Sequence, residues 1–120
     1  MGNDVVVLAE HFDGQVADIS YEIVGKAKAL AGALGRQAIA VMLGSGMGGD
    51  AAATFASDKT IYVDDAALAE FNPEAYGLVL EALLNDMSPR VTMIGSTAMG
   101  MDLGAWLAAK TGQDFVAYVR

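Results

Sequence analysis

The sequence is 120 residues long, which is enough for one hydrophobic core and too short for a second catalytic module. Hydrophobic residues make up 54% of it and charged residues 18%, a balance typical of a sheet buried on both faces. The 15 acidic and 7 basic residues give a net charge of −8, which disfavours nucleic acid and anionic lipid, and the lack of cysteine excludes disulfides and thiolate metal sites.

The amino terminus carries no recognisable targeting signal. The first apolar run, Val5–Ala9, is too short for a signal peptide or a membrane-spanning helix, and no basic residue precedes it. We therefore expect a cytoplasmic protein that does not bind membranes, folded as one domain over residues 1–120.

Five short apolar segments, each bounded by turn residues, are typical of buried strands. Most of their residues are β-branched or otherwise bulky and apolar, which favours a pleated, buried surface. The predicted strands are Val5–Ala9, Ala38–Leu43, Thr60–Val63, Val91–Ile94 and Phe115–Val119.

Three amphipathic helices are predicted between these strands. The first covers Ser20–Leu34 and ends at Gly35, the second starts after Pro73, and the third ends at Gly112. A short helix is also predicted at Ala51–Phe55. The apolar stripes fall on Ile23, Ala27, Leu30 and Leu34 in the first long helix, on Tyr76, Val79, Leu80, Leu83 and Met87 in the second, and on Met99, Leu103 and Leu107, followed by Lys110, in the third.

Strands and helices alternate, and each connection is long enough for a crossover between parallel strands. The pattern predicts a Rossmann-like three-layer α/β sandwich, with a five-stranded, mostly parallel sheet in the order 3-2-1-4-5 and helices on both faces.

The loop after the second predicted strand has the spacing of a dinucleotide fingerprint. Its glycines include Gly44, Gly46 and Gly49 beside Ser45, and Asp64 follows at the end of the next strand. Asp50 would repel phosphate in the first turn of the following helix. We therefore favour a glycine-rich turn between strand and helix, and keep nucleotide contacts as the alternative.

A second loop of small residues follows the fourth predicted strand. Its candidate ligand-contacting residues are Gly95, Ser96, Thr97 and Gly100. The hydroxyl groups can bind a ligand, and Ser96 or Thr97 can equally cap the helix that follows. If the first strand is central, this loop lies at the switch point of the sheet, where ligands bind in open parallel sheets.

The remaining polar residues offer no catalytic or metal constellation. His11 is the only histidine and has no evident nucleophile beside it. Asp64 and Asp65 are adjacent and point to opposite faces of a strand, which favours a turn and a helix cap over a shared metal. We expect no catalytic residue, no metal site and no catalysis by this chain alone.

Several segments together resemble the N-terminal domain of electron transfer flavoprotein alpha subunits. They occur in the family's order along the whole chain, and the similarity rests on their sequence rather than on one motif. The segments are Val5–His11 with Gly14, Val41–Gly46, Ile61–Asp65 with Leu68 and Ala69, and Gly100–Leu103 with Leu107–Ala109.

This resemblance implies a Rossmann-like domain that packs against a beta-like subunit and acts as a component of an electron carrier. It implies FAD held in a separate domain that these residues lack, and AMP held by the partner subunit. It also implies that the Gly44 loop is a fold element. Family members usually carry a Pro-Arg pair where Ala105 and Trp106 stand here, so Trp106 becomes a candidate interface residue.

Two functional hypotheses follow. The first is a structural and interaction domain that supports electron transfer by a flavin held elsewhere, paired with a beta-like subunit or with itself. The second is a stand-alone adenine-nucleotide-binding module that uses the loops Gly44–Gly49 and Gly95–Gly100.

Overall fold

The computed structural model describes residues 3–12, 15–47 and 55–118. Seven strands are present in these ranges: β1 (Val5–Ala9), β2 (His11–Phe12), β3 (Gln15–Val16), β4 (Ala38–Gly44), β5 (Lys59–Asp64), β6 (Val91–Gly95) and β7 (Phe115–Tyr118). Five of them form one sheet in the order β5-β4-β1-β6-β7, and β2 pairs with β3 in a separate ladder.

All four pairings in the large sheet are parallel, with Val5 of β1 opposite both Ala38 of β4 and Val91 of β6. β1 is therefore the central strand. The five predicted segments all form strands of this sheet, with ends that agree or differ by one residue, and the predicted end at Val119 lies outside the described residues. The predicted order 3-2-1-4-5 corresponds to β5-β4-β1-β6-β7, because two further strands, β2 and β3, follow the first one in the chain.

The two additional strands, β2 and β3, form a short antiparallel ladder, with His11 opposite Val16 and Phe12 opposite Gln15. The sequence did not predict this ladder, because strands of two residues have no detectable periodicity. The ladder places His11 and Phe12 directly beyond the carboxyl end of β1.

Three α-helices cover the sheet: α1 (Asp18–Leu34), α2 (Pro73–Met87) and α3 (Ala98–Thr111), and a short 3-10 helix spans Ala66–Leu68. The α1 residues pack into one apolar cluster and those of α2 and α3 into another, on opposite faces of the sheet. The predicted three-layer α/β architecture is confirmed. Of the predicted short helix at 51–55, only Phe55 lies among the described residues, and it is buried.

The predicted helix ends at Gly35, Pro73 and Gly112 are present, and each is produced by the backbone conformation or capping of the residues there. α1 and α3 end at Gly35 and Gly112, which adopt φ angles of 67° and 68° that favour glycine. Pro73 opens α2, and the Asn72 side chain accepts hydrogen bonds from two backbone N–H groups of the first turn.

The predicted apolar stripe of α1 is only half right. Ile23 and Ala27 are buried, whereas Leu30 and Leu34 are 37% and 42% exposed. The helix rests on the sheet through the small side chain of Ala27 and its neighbours one turn away, so the buried arc is rotated from the leucines. The residues that α1 buries are Ile19, Ser20, Ile23, Val24, Ala27 and Ala31.

The stripes of α2 and α3 agree better with prediction. In α2, Tyr76 and Leu80 are buried, and the other predicted members pack at the margin of the same cluster. In α3, Met99, Leu103 and Leu107 are buried, whereas Lys110 is exposed. Within the described ranges, no helix combines the length and apolar character needed to cross a bilayer.

Candidate functional site

The carboxyl end of β1 is the switch point of the sheet, because the chain crosses to β4 on one side and to β6 on the other. Loops that follow β1, β4 and β6 meet here. The predicted candidate residues near Gly44, Asp64 and Gly95 all lie at this edge, while Gly49 lies outside the described residues.

The first polar cluster is centred on Glu10, which directly follows β1 and is 1% exposed. Thr97 donates its hydroxyl hydrogen to the Glu10 carboxylate, with Oγ1 at 2.9 Å from Oε1 and 2.8 Å from Oε2. The backbone N–H of Glu10 donates to Ser20 Oγ at 2.7 Å, and the Ser20 hydroxyl donates to the Glu10 carbonyl. Glu10 thus connects the central strand to α1 and α3.

This environment changes the acidity of Glu10. Burial raises the pKa of its carboxyl group from the ordinary 4.5, and the hydrogen bond from Thr97 partly opposes that rise. The described basic residues lie outside this cluster, so no ion pair offsets the loss of hydration there.

The loop from Gly95 to Gly100 uses its small residues within the protein. Thr97 is the N-cap of α3 and accepts a hydrogen bond from the Gly100 N–H at 3.0 Å. A Cβ atom on Gly100 would overlap the carbonyl oxygen of Gly95, so glycine permits the close approach of the two backbones. Ser96 is exposed, and its N–H donates to the Tyr118 carbonyl. The capping interpretation is confirmed for Thr97.

In the described part of the loop after β4, two backbone donors have acceptors within the chain. The Gly46 N–H donates to Asp64 Oδ1 at 3.0 Å, and the Met47 N–H donates to the Tyr62 hydroxyl at 3.1 Å. Gly46 has a φ of 66°, and Ser45 is half-buried. Asp64 therefore holds the glycine turn, in the position where a fingerprint acid would bind a ribose.

The neighbouring Asp65 has a separate structural role. Its side chain accepts a hydrogen bond from the Ala67 N–H at 2.9 Å and caps the 3-10 helix. The predicted turn and helix cap at Asp64 and Asp65 are thus present. In the part of the chain that the structure describes, no three acidic or histidine side chains are grouped to hold a metal ion.

A second polar cluster surrounds His11, which is 7% exposed. Its Nε2 lies 2.6 Å from the Leu43 carbonyl oxygen, and that oxygen can only accept, so Nε2 carries the hydrogen. The Tyr76 hydroxyl lies 3.0 Å from the Leu68 carbonyl and 3.2 Å from that of Leu43, and burial raises the pKa of Tyr76. The cluster holds α2 against the ends of β1 and β4.

Sequence reasoning did not single out Glu10, Ser20 or Tyr76 as members of these clusters. The position of Glu10 was informative, because a carboxylate directly after a fully apolar strand is either buried with hydrogen-bond partners or directed to solvent by a turn of the chain. Ser20 and Tyr76 lie within helical patterns, and their partners are distant in sequence.

The predicted interface residue Trp106 lies on α3 and is 38% exposed. Its ring packs over Gly77 of α2, where an added Cβ would come within 2.8 Å of the indole Cζ3. The Lys110 ammonium lies 5.6 Å from the ring centre, in range of a weak cation–π contact. Gly77 thus provides the space that the tryptophan occupies.

The described residues at the switch point do not fit the pyrophosphate of FAD or of another dinucleotide. A pyrophosphate is held by free backbone N–H groups and by positive charge. Here the N–H groups of Gly46, Met47 and Gly100 already have acceptors within the chain, and the side chains that accept from the glycine turn are the Asp64 carboxylate and the Tyr62 hydroxyl.

Comparison with known proteins places this arrangement in a family. Residues 5–120 match the electron transfer flavoprotein domain. The chain is 35% identical over 116 residues to the electron transfer flavoprotein subunit alpha of Clostridium acetobutylicum, covering 94% of this chain and 34% of that protein. It is 33% identical over 112 residues to the corresponding subunit of Megasphaera elsdenii, covering 90% of this chain and 33% of that protein.

A further relative carries a different name. The lactate dehydrogenase (NAD(+),ferredoxin) subunit LctC of Acetobacterium woodii is 29% identical over 108 residues, which cover 88% of this chain and 26% of that protein. The chain thus spans about a third or less of the length of these relatives. The resemblance to alpha subunits is confirmed, and the chain belongs to the electron transfer flavoprotein domain family.

Proposed function

We propose that this domain serves electron transfer as a docking scaffold, with the flavin held in another domain or subunit of the assembly. The observation that carries the proposal is that the described parts of both glycine-rich loops, residues 44–47 and 95–100, bind their own chain. Gly46 and Met47 donate to Asp64 and Tyr62, and Gly100 donates to Thr97. These three N–H groups hold the loops at the end of the sheet, so none of the three is free to bind a phosphate.

The family supplies the context for the proposal. Two of the relatives are named alpha subunits of electron transfer flavoproteins, so each works with at least one other chain. By analogy, we propose a beta-like subunit as partner, FAD within the assembly and AMP within the partner. Self-association of this chain is the competing arrangement.

We assign part of the docking surface to the outer side of α2 and α3 around Trp106. This residue borders a groove of about 240 Å³, together with Pro73, Glu74, Asp102 and Leu103. A partly exposed tryptophan on a rigid helix pair is the kind of side chain that dominates interface energies. Its position over Gly77 holds the ring in place before a partner arrives.

The experiment is a titration of the chain with its beta-like subunit, followed by sedimentation. Replacement of Trp106 by alanine is expected to weaken binding about tenfold or more, because buried tryptophans at interfaces contribute upwards of about 1.4 kcal/mol. The matched control is Leu34→Ala, which removes an exposed apolar side chain from α1 on the opposite face. Equal affinity of all three proteins would contradict the assignment of Trp106, and dimers of the chain alone would favour self-association.

The second candidate function, adenine-nucleotide binding by the two loops, makes a separate prediction. A ligand that binds only the folded state raises the melting temperature, by an amount that corresponds to about 2.7 kcal/mol at one hundred times its dissociation constant. Because the N–H groups of Gly46, Met47 and Gly100 are occupied, we expect AMP, ATP and NAD at millimolar concentration to leave the melting temperature unchanged. A saturable rise with any of them would favour the nucleotide module.

A further inference from the structure

The described acidic residues lie at both edges of the sheet, with Asp4, Asp58, Asp86 and Asp114 at the amino ends of the strands, whereas no described lysine or arginine lies at the carboxyl ends. The edge at the carboxyl ends of the strands carries Asp18, Asp64, Asp65, Glu70, Glu74 and Asp102. The described lysines and arginines lie elsewhere: Lys26 and Lys28 within α1, Arg36, Lys59 and Arg90 at the opposite edge, and Lys110 in the last turn of α3. An edge that carries acidic side chains and no described basic ones favours a partner with a basic docking face.

Helix ends contribute to the field at this edge but do not reverse it. The three α-helices all begin here, and each amino terminus carries a partial positive charge of about half a unit. Asp18 and Glu74 lie in the first turns of α1 and α2 and match that charge. Asp64, Asp65 and Glu70 remain as an acidic excess on loops and strand ends.

A cleft of about 260 Å³ opens at this acidic edge. Its walls are His11 and Phe12, which follow β1, and Ala69, Glu70 and Phe71, which precede α2. Phe12 is 61% exposed and lines the cleft together with Glu70. The Phe71 ring is held edge-to-face against Tyr76, with centroids 5.3 Å apart, so one aromatic wall is fixed by the buried hydrogen bonds of that tyrosine.

We propose that this cleft receives an arginine side chain from the basic docking face of a partner protein. A guanidinium group stacks on aromatic rings and donates to carboxylates in the same plane, and the cleft offers two phenylalanines and the Glu70 carboxylate. Arginine is also enriched at protein interfaces, whereas the more strongly hydrated lysine is depleted. The role assigned to this cleft rests on the docking function proposed above, whereas occupation of the cleft by an arginine probe does not depend on Trp106.

His11 forms a polar part of the cleft and reports on its occupation. Its Nε2–H is bound to the Leu43 carbonyl, and its Nδ1 has no hydrogen-bond partner within the described ranges. Because His11 is the only histidine in the sequence, its ring resonances can be assigned directly in the NMR spectrum.

The test is an NMR titration of the His11 ring in the full chain with Nα-acetyl-arginine amide, and in parallel with Nα-acetyl-citrulline amide, the neutral isostere. We expect saturable shifts with the arginine probe and no saturable shift with the citrulline probe. The absence of saturation by the arginine probe, or equal saturation by both probes, would overturn the proposal.

Variants locate the binding on the proposed walls. Glu70→Gln and Phe12→Ala are each expected to weaken binding of the arginine probe about two- to fivefold, the effect of one exposed charge pair or one cation–π contact. Both side chains are exposed, so the fold is retained. The matched controls are Asp86→Asn at the far end of α2 and Leu78→Ala, which is 64% exposed. Unchanged affinity in both wall variants, or an equal loss in the controls, would overturn the assignment to this cleft.

Discussion

Glu10 shows how one side chain joins three elements at the centre of this fold. Its carboxylate binds Thr97 at the start of α3, and its backbone exchanges hydrogen bonds with Ser20 of α1. Buried carboxylates without a basic partner lose hydration that one hydroxyl does not fully replace. The cluster therefore fixes the loops at the switch point at some cost in stability.

This cost makes stability depend on pH. Burial raises the pKa of Glu10 in the folded protein above its ordinary value of 4.5, so the folded state holds the proton more tightly than the unfolded chain. The resulting stabilisation is full below the unfolded pKa and is lost as pH rises through the folded pKa. We expect the free energy of unfolding of the unmodified protein to fall over this window relative to Glu10→Gln, which does not titrate.

Denaturant unfolding of both proteins at a series of pH values from about 4 to about 8 measures this difference. Thr97 can still donate to the glutamine carbonyl, so the variant keeps the contact. Parallel pH profiles of the two proteins would show that the pKa of Glu10 is not raised.

Gly100 provides a second prediction at the scale of one residue. A methyl group there would overlap the Gly95 carbonyl oxygen, so Gly100→Ala is expected to lower the free energy of unfolding by about 1–3 kcal/mol. Gly25→Ala is the matched control, because that glycine lies inside α1 with open space around it, and it is expected to stabilise by about 0.5–1 kcal/mol. Denaturant titrations compare the two, and a neutral Gly100→Ala would contradict the close backbone approach.

At the scale of the elements, the contact between α2 and α3 depends on a small residue facing a large one. Trp106 lies over Gly77, and both helices pack on the same apolar cluster. The aromatic ring of Trp106 is thus accommodated by a glycine on the neighbouring helix.

Gly77→Ala tests this contact. An added Cβ would lie 2.8 Å from the indole Cζ3, so the ring must shift or the helices must separate. We expect a loss of about 1–3 kcal/mol from overpacking, reduced by about 1 kcal/mol of helix propensity. The fluorescence of Trp106, the only tryptophan, is expected to move to longer wavelength. Gly32→Ala on α1 is the control, and an unchanged emission spectrum with full stability would contradict the contact.

The elements themselves were largely predictable from the sequence. Buried parallel strands are continuous apolar runs, and Gly35, Pro73 and Gly112 mark helix ends through backbone chemistry. The stripe of α1 was predicted wrongly at Leu30 and Leu34. A pattern based on hydrophobicity ranks leucine above alanine, whereas the small alanine side chains are the ones that let this helix lie close to the sheet.

The site was less predictable than the elements. The loops at Gly44 and Gly95 were located correctly, and Asp64 was grouped with the first of them as the acid of a fingerprint. Their partners Tyr62 and Glu10 could be recognised only once the strand order was known. The His11–Tyr76 cluster joins residues 65 positions apart. Hydrogen bonds between residues so distant in sequence depend on the strand order of the sheet, and the local sequence pattern does not specify that order.

At the scale of the whole molecule, the fold keeps its described lysines and arginines away from the carboxyl ends of the strands. The edge where related sheets bind ligands is acidic, and the described N–H groups of Gly46 and Gly100 in its turns donate within the chain. Both features favour protein docking over binding of a phosphate-bearing cofactor. They agree with an alpha-subunit domain that spans about a third of its relatives' length.

The most direct test of the docking scaffold is equilibrium dialysis of the purified chain against FAD, in which the flavin absorbance is measured on each side of the membrane. If the domain is a docking scaffold whose loops bind only the chain itself, FAD will distribute equally and the protein will remain colourless. Retention of about one FAD per chain, with the altered spectrum of a bound flavin, would contradict it.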